Sequence, residues 1–230
     1  HGPPGHGPPG HGQPIDGRLL RESFARLEPI APRVVEYFYA RLFAENPRLR
    51  ELFPATMEVQ RSRLLRALVR VVQGADDPTT LDGFLRQLGH DHRKLAVRPD
   101  HYEAFGRALV ATLREHSRGA WTPAVEHAWA GAYAMVAEKM LAGAATADGT
   151  PARWAAEVIG HERLGGDLAL LTVQPDRPYP FRPGQYASVQ TARRPRLWRS
   201  HPIANPPPPA RAARLPLPPP TRGWGRKPLV

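Results

Sequence analysis

Leu81, Leu85, Leu88, His92 and Leu95 recur at intervals of three and four residues, the spacing that lines side chains along one face of an α-helix. A helix of this kind has to bury that face, so the segment commits the chain to a packed helical domain with an imidazole turned toward its interior. Nothing polar in the stripe pairs with that ring. Two readings follow. One is a core histidine bonded to a backbone carbonyl. The other is a ring nitrogen facing an apolar cavity, where it is a natural iron ligand and the cavity holds a haem.

The same period begins at Asp16. Leu20, Phe24 and Leu27 form one side of a helix before Pro29 and Pro32 interrupt it. Pro32 suits the first turn of a second helix, whose apolar face carries Val35, Phe38, Tyr39, Leu42 and Phe43. Asn46-Pro47 restarts the chain as a short helix ending near Phe53, and Thr56 is placed to cap a long helix through Val72. Asp76-Asp-Pro-Thr-Thr80 marks the turn before the His92 helix. Pro99 opens a helix running to about Arg118, and Thr122-Pro123 supplies a cap and first-turn proline for the last, expected to stop at Gly143. The expectation is an all-α domain over residues 16–143.

Residues 1–15 repeat His-Gly-Pro-Pro-Gly, and the alternating gaps between glycines break the every-third rule of collagen, so disorder is expected there. Residues 144–153 are mostly small and form a linker. The period then shortens: Ala156-Glu-Val-Ile159 and Leu168-Ala-Leu-Leu-Thr-Val173 read as strands. Tyr179-Pro-Phe-Arg-Pro-Gly-Gln-Tyr-Ala-Ser-Val189 and Trp198-Arg-Ser-His-Pro-Ile-Ala-Asn205 follow. Residues 206–230 are rich in Pro and Arg, without strand alternation, and are expected to stay solvated.

Charge narrows the partners. The formal net charge is +11, yet all 21 acidic residues lie at or before Asp176, and 11 basic residues with no acid follow it. The excess is a C-terminal property and not a basic groove. Arginine without interleaved aromatics reads nucleic acid poorly, so no specific nucleic-acid partner is expected. With no cysteine, disulfides and thiolate metal sites are excluded. No apolar run reaches the length of a membrane span and no signal segment opens the chain. The expected location is cytoplasmic, without a membrane partner.

Three segments, Val35-Glu-Tyr-Phe-Tyr39 through Phe53, Val59-Gln-Arg-Ser-Arg-Leu64 and Ala128-Trp-Ala-Gly-Ala-Tyr133, together with the His92 stretch, resemble the globin domain of bacterial flavohaemoglobins in order and spacing. The resemblance covers roughly residues 16–143. It resumes over residues 154–205, which resemble the start of the antiparallel FAD-binding β-barrel of the reductase half. The implied architecture is mainly α, a globin fold followed by a partial barrel and a Pro-rich tail, with the NAD(P)H domain absent from this chain.

Flavohaemoglobins combine O2 and nitric oxide to give nitrate, drawing electrons from NAD(P)H through FAD. The resemblance implies haem b on His92, a hydrogen bond from Tyr39 to bound oxygen, Gln60 supporting that bond, Leu64 limiting ligand approach and Phe53 packing on the haem face. It implies Tyr102 on the proximal side, where the family adds a glutamate; that position falls at Ala144, and the nearest acid, Glu138, sits on another helical face. For FAD, Tyr186 matches a flavin-contacting tyrosine and Arg199 a pyrophosphate ligand. His201 and Pro202 stand where the family has tyrosine and serine, and proline has neither hydroxyl nor N–H donor. FAD binding and a flavin-free truncated barrel therefore stay open together. The implied activity is nitric oxide dioxygenase, with a separate reductase supplying electrons. The alternative is a non-enzymatic globin that binds or senses O2. A third class, an adaptor acting through Pro216-Leu-Pro-Pro219, rests on a weak polyproline motif.

Overall fold

Asp16 starts helix α1 (Gly17–Leu27) by accepting the Leu19 N–H at 2.9 Å, and the helix buries Leu20, Phe24 and Leu27. The computed structural model in which this is seen describes residues 15–146, 149–165, 168–204 and 212–217. Most of the N-terminal repeat and of the C-terminal tail lies outside them. The chain divides between Asp148 and Gly149 into a helical unit and a strand unit.

In the helical unit, α2 (Ala31–Glu45) has Pro32 in its first turn and buries Val34, Val35, Phe38, Tyr39 and Leu42. A 3-10 turn, Pro47–Leu52, leads to α3 (Glu58–Gln73). Thr56 does not cap that helix: its N-cap is Met57, with no side-chain bond. The reason lies upstream, where the Arg50 guanidinium donates to the carbonyls of Phe53, Pro54 and Ala55 at 3.1, 2.9 and 3.0 Å and ties the intervening loop to the 3-10 turn. α4 (Pro78–His92) is capped by Asp77, which accepts from Thr79 N–H. α5 (Pro99–Ser117) and α6 (Pro123–Ala145) complete the unit, the latter capped by Thr122.

α6 continues past Gly143 into the stretch expected to be linker, because Gly143 is a point of contact and not a stop. A Cβ there would run into the backbone of Arg86, and one at Gly89 into the backbone of Met140. The two glycines let α4 and α6 meet backbone to backbone, and the Lys139–Asp82 ion pair at 2.5 Å joins the same two helices. The core has two parts. One gathers Leu20, Phe38, Leu42, Leu109 and Trp129, the buried Trp129 indole donating to Ser23 Oγ at 2.9 Å. The other gathers Leu81, Leu85, Tyr102 and Met140.

The strand unit holds β1 (Ala156–Arg163), β2 (Ala169–Pro175), β3 (Tyr186–Thr191), β4 (Arg194–Pro202) and β5 (Ala213–Leu217). Among the described residues they form an antiparallel sheet in the order β1-β2-β5 and a β3-β4 hairpin, with no closed barrel. β5 corrects the expectation of a solvated tail from Pro206 onward. Ala213 and Leu215 alternate inward, 4% and 2% exposed, while β5 pairs Leu171 with Leu215 and Leu170 with Pro216. Proline is tolerated because β5 is an edge strand.

Candidate haem site

His92 closes α4, one turn beyond Leu88, and its Nδ1 lies 2.7 Å from the Leu88 carbonyl oxygen. A carbonyl only accepts, so Nδ1 carries the proton and Nε2 keeps a free lone pair. This is the backbone-carbonyl bond of the first sequence reading, made four residues back on the same helix, and it leaves Nε2 free for the second. Burial is the leading cause of a His92 pKa below the ordinary imidazole range, and the Leu88 bond opposes it. A neutral imidazole with its tautomer fixed by a backbone carbonyl is the state a metal requires of a histidine ligand. Among the described residues no three His, Asp or Glu side chains gather as a metal cage.

Tyr102 is 8% exposed and packs with Leu81, Leu85 and Met140, with Leu88 and Val97 against the same cluster. Burial raises the pKa of its hydroxyl. The Tyr102 backbone carbonyl accepts the Tyr133 hydroxyl at 2.6 Å, and the Tyr133 ring stacks on Phe105 with centroids 5.9 Å apart. Tyr133 thereby pins α6 to α5 at Tyr102. The sequence offered only its place in a motif as a hint. Glu138 is exposed and Ala144 half-buried.

In the first core cluster, Tyr39 is 2% exposed, and Gln60 of α3 is the polar side chain near its hydroxyl. Burial is the main cause that pushes its pKa up to about 12, with Gln60 and the nearby Arg61 charge opposing. The phenol is therefore a proton donor throughout the neutral range. Phe53 stands edge-on to Tyr39 with centroids 5.6 Å apart, and Phe43 touches both rings. Leu64 packs against the same cluster. Arg50, which sequence reasoning missed, holds the Phe53 loop through the three carbonyls named above and sits over the Phe43 ring.

The strand unit does not bring its three residues to one face. β3 and β4 pair Tyr186 with Pro202 and Ala187 with His201, so Tyr186 and His201 point to opposite sides. Tyr186 is 61% exposed, whereas His201 is buried in the cluster with Ala187 and Ile203, its Nδ1 3.3 Å from the Pro216 carbonyl. Arg199 pairs with Val189 on the His201 face. This arrangement does not fit a flavin held jointly by Tyr186, Arg199 and His201.

Six helices with a half-buried histidine and a buried tyrosine make up a globin fold, and the globin family model matches residues 36–140. The chain's relatives include flavohaemoproteins. That of Bordetella pertussis is 30% identical over 142 residues, which cover 57% of this chain and 35% of the relative, so the chain matches about a third of such a protein's length. A flavohaemoglobin from Malassezia yamatoensis, solved with bound FAD and haem, aligns with 90% of this chain and 57% of its own at a TM-score of 0.63 and 15% identity, a likeness of fold. An engineered carbene transferase from Rhodothermus marinus, described as a candidate nitric oxide dioxygenase, aligns with 56% of this chain and 91% of its own at a TM-score of 0.52 and 25% identity. No helix among the described residues is long and apolar enough to cross a membrane.

Proposed function

We propose that this chain is a haem b globin that binds O2 and oxidises nitric oxide to nitrate, with His92 as the iron ligand. The observation that carries this reading is the pairing, in one domain, of His92, with Nδ1 tied to Leu88, and Tyr39, a buried neutral phenol with Gln60 beside it. The donor set fits haem: Nε2 of His92 holds a lone pair, and apolar side chains of α2, α3 and α4 line the interior. Arg63 of α3 and Lys94 after α4 lie within electrostatic reach of one another and suit a carboxylate-bearing rim. When bound, the haem supplies the iron that takes up O2 and the electron needed to reduce it.

The chain's own residues do the rest. Tyr39 holds its proton at Oη and offers it as a hydrogen bond to a polar diatomic ligand, and Gln60 fixes the direction of that bond. Phe53 and Leu64 keep water from the ligand, which protects a reactive oxygen species from hydrolytic side reactions. Tyr102, held through its carbonyl by Tyr133, packs the proximal side. The relatives' name supports the haem reading, and the Rhodothermus enzyme's description supports the dioxygenase reading. No flavin step is assigned, since the described strand residues do not assemble that site. Electrons for repeated turnover then come from a donor outside the described residues.

Mixing the oxygenated chain with nitric oxide in stopped flow tests the activity. One fast oxidation to the ferric form with one nitrate per haem is expected, and slow oxidation without stoichiometric nitrate sinks the reading. That second outcome favours a non-enzymatic O2 globin, for which Ala144 in place of a proximal carboxylate already speaks. Tyr39→Phe separately tests the donor. A hydrogen bond to a strongly polar group contributes about 1.5 to 3 kcal/mol, so O2 should leave roughly ten to a hundred times faster. CO takes up little charge and should barely respond. Equal effects on the two ligands would exclude a donor role for Tyr39.

A further inference from the structure

Arg21, Arg86 and Arg114 of the helical unit each hold a carboxylate. Three arginines of α3 do not. Arg63, Arg66 and Arg70 are exposed, and among the described residues none of them makes an ion pair. They fall at i, i+3 and i+7, on one face of the helix, and Val59, 53% exposed, begins that face a turn earlier. Like charges at this spacing repel one another, so the free chain carries a stripe of guanidinia that the fold leaves uncompensated.

The stripe borders α4 at both ends. Arg70 lies over the Phe84 ring, 3.9 Å from its centre. At the other end is Lys94, two residues past His92, whose pKa is lowered first by burial and further by the Arg63 charge, with Asp91 opposing. The arginines therefore run along the edge of α3 nearest α4, and these two helices carry Leu64 and His92.

A guanidinium is weakly hydrated and meets a carboxylate through two parallel N–H bonds, so an arginine stripe suits an acidic protein surface. Nucleic acid fits it less well, because the ring that borders the stripe, Phe84, lies under Arg70 where a base cannot stack on it. A membrane also fits less well. Lying in a bilayer interface takes a free apolar face, and Leu64, Leu65 and Leu68 of α3 are packed into the first core cluster.

We propose that the Arg63–Arg66–Arg70 stripe is the docking surface for a separate acidic electron-transfer protein of the flavodoxin kind, whose surface carboxylates pair with these guanidinia. The assignment rests on the haem reading above and names the surface at which electrons from outside arrive. The flavin hydroquinone of the donor gives up one electron and becomes a semiquinone, and the ferric iron of this chain becomes ferrous. Arg66 and Arg70 test the surface, since Arg63 also suits the carboxylate-bearing rim.

The probe is an acidic bacterial flavodoxin. Its oxidised form is titrated calorimetrically into the full haem-loaded chain, and its hydroquinone is mixed with the ferric chain under CO in stopped flow. Binding is expected at about 20 mM salt, with the second-order rate constant falling at least about tenfold by about 300 mM as screening removes the attraction. Arg66→Glu with Arg70→Glu should lower affinity and rate constant at least about tenfold at low salt and converge on the wild type at high salt. The same change of charge on α5, Arg107→Glu with Arg114→Glu, should cost roughly threefold at most. All four side chains are exposed, so the ferrous CO spectrum formed with dithionite should be kept in every variant. No binding of flavodoxin by the wild type, salt-independent reduction, or equal losses in the α3 and α5 variants overturns the docking surface and leaves the haem reading intact. Binding to anionic phospholipid vesicles without binding to flavodoxin also overturns it and assigns the stripe to a membrane surface. A wild-type chain that forms no ferrous CO complex with dithionite overturns the haem reading itself.

Discussion

His92→Ala is expected to abolish stoichiometric haem binding. Even groups that merely orient a metal ligand are worth ten- to a hundredfold in metal affinity, so removing the ligand itself should cost more than about a hundredfold. The substitution deletes Nε2 and frees the Leu88 carbonyl, which accepts water or relaxes into the helix end, and it leaves Leu81 and Leu85 buried as before. The globin unit should therefore keep its helical circular dichroism while its haemin titration loses the sharp one-to-one end point. Added imidazole should restore the five-coordinate ferrous spectrum by refilling the vacated space. If the variant keeps the wild-type ferrous spectrum without imidazole, another residue holds the iron.

The second large effect is expected at the crossing of α4 and α6. Gly89→Ala and Gly143→Ala each place a methyl group against backbone of the facing helix, Met140 in one case and Arg86 in the other. Backbone cannot swing aside as a side chain does, so the helices must part along their length. The loss in unfolding free energy should be about 3 kcal/mol or more, at the upper end for overpacking, measured by urea unfolding. Gly83→Ala is the control on the same helix. Nothing lies within 4 Å of a Cβ there, so better helix propensity should stabilise the chain by about 0.5 to 1 kcal/mol. Gly89 stands one turn before His92, so Gly89→Ala should also shift the ferrous haem spectrum, whereas Gly83→Ala should not. A neutral Gly89→Ala would mean that α4 and α6 do not meet at this point.

Both predictions draw on features that the sequence showed unequally. The leucine stripe and the Thr122 cap were legible because helix period and capping are local: a few residues along the chain carry the whole signal. Gly143 was legible only as a glycine and was read as a helix end. Its use depends on Arg86, far along the chain and on another helix, which no periodicity contains. Thr56 failed as a cap for a similar reason, since Arg50 decides the path of the loop before α3.

The sequence by itself determined that residues 16–143 form helices, where most of them start, and that His92, Tyr39, Gln60 and Tyr102 lie on helical segments. It determined too that strands follow the small-residue stretch. Only the tertiary structure decided which distant polar groups meet: Gln60 with Tyr39, and Tyr133 with the Tyr102 carbonyl. It also decided that His201 turns inward away from Tyr186, and that Ala213–Leu217 becomes a strand despite Pro216, because the edge of β2 offers it hydrogen bonds and a buried face. Period and capping are written in neighbouring residues, whereas a hydrogen-bond partner, a backbone contact or a sheet edge is fixed only when distant segments pack. The chain could thus announce its helices and its histidine, and packing alone could set the neutral phenol and the close helix crossing that bear on their chemistry.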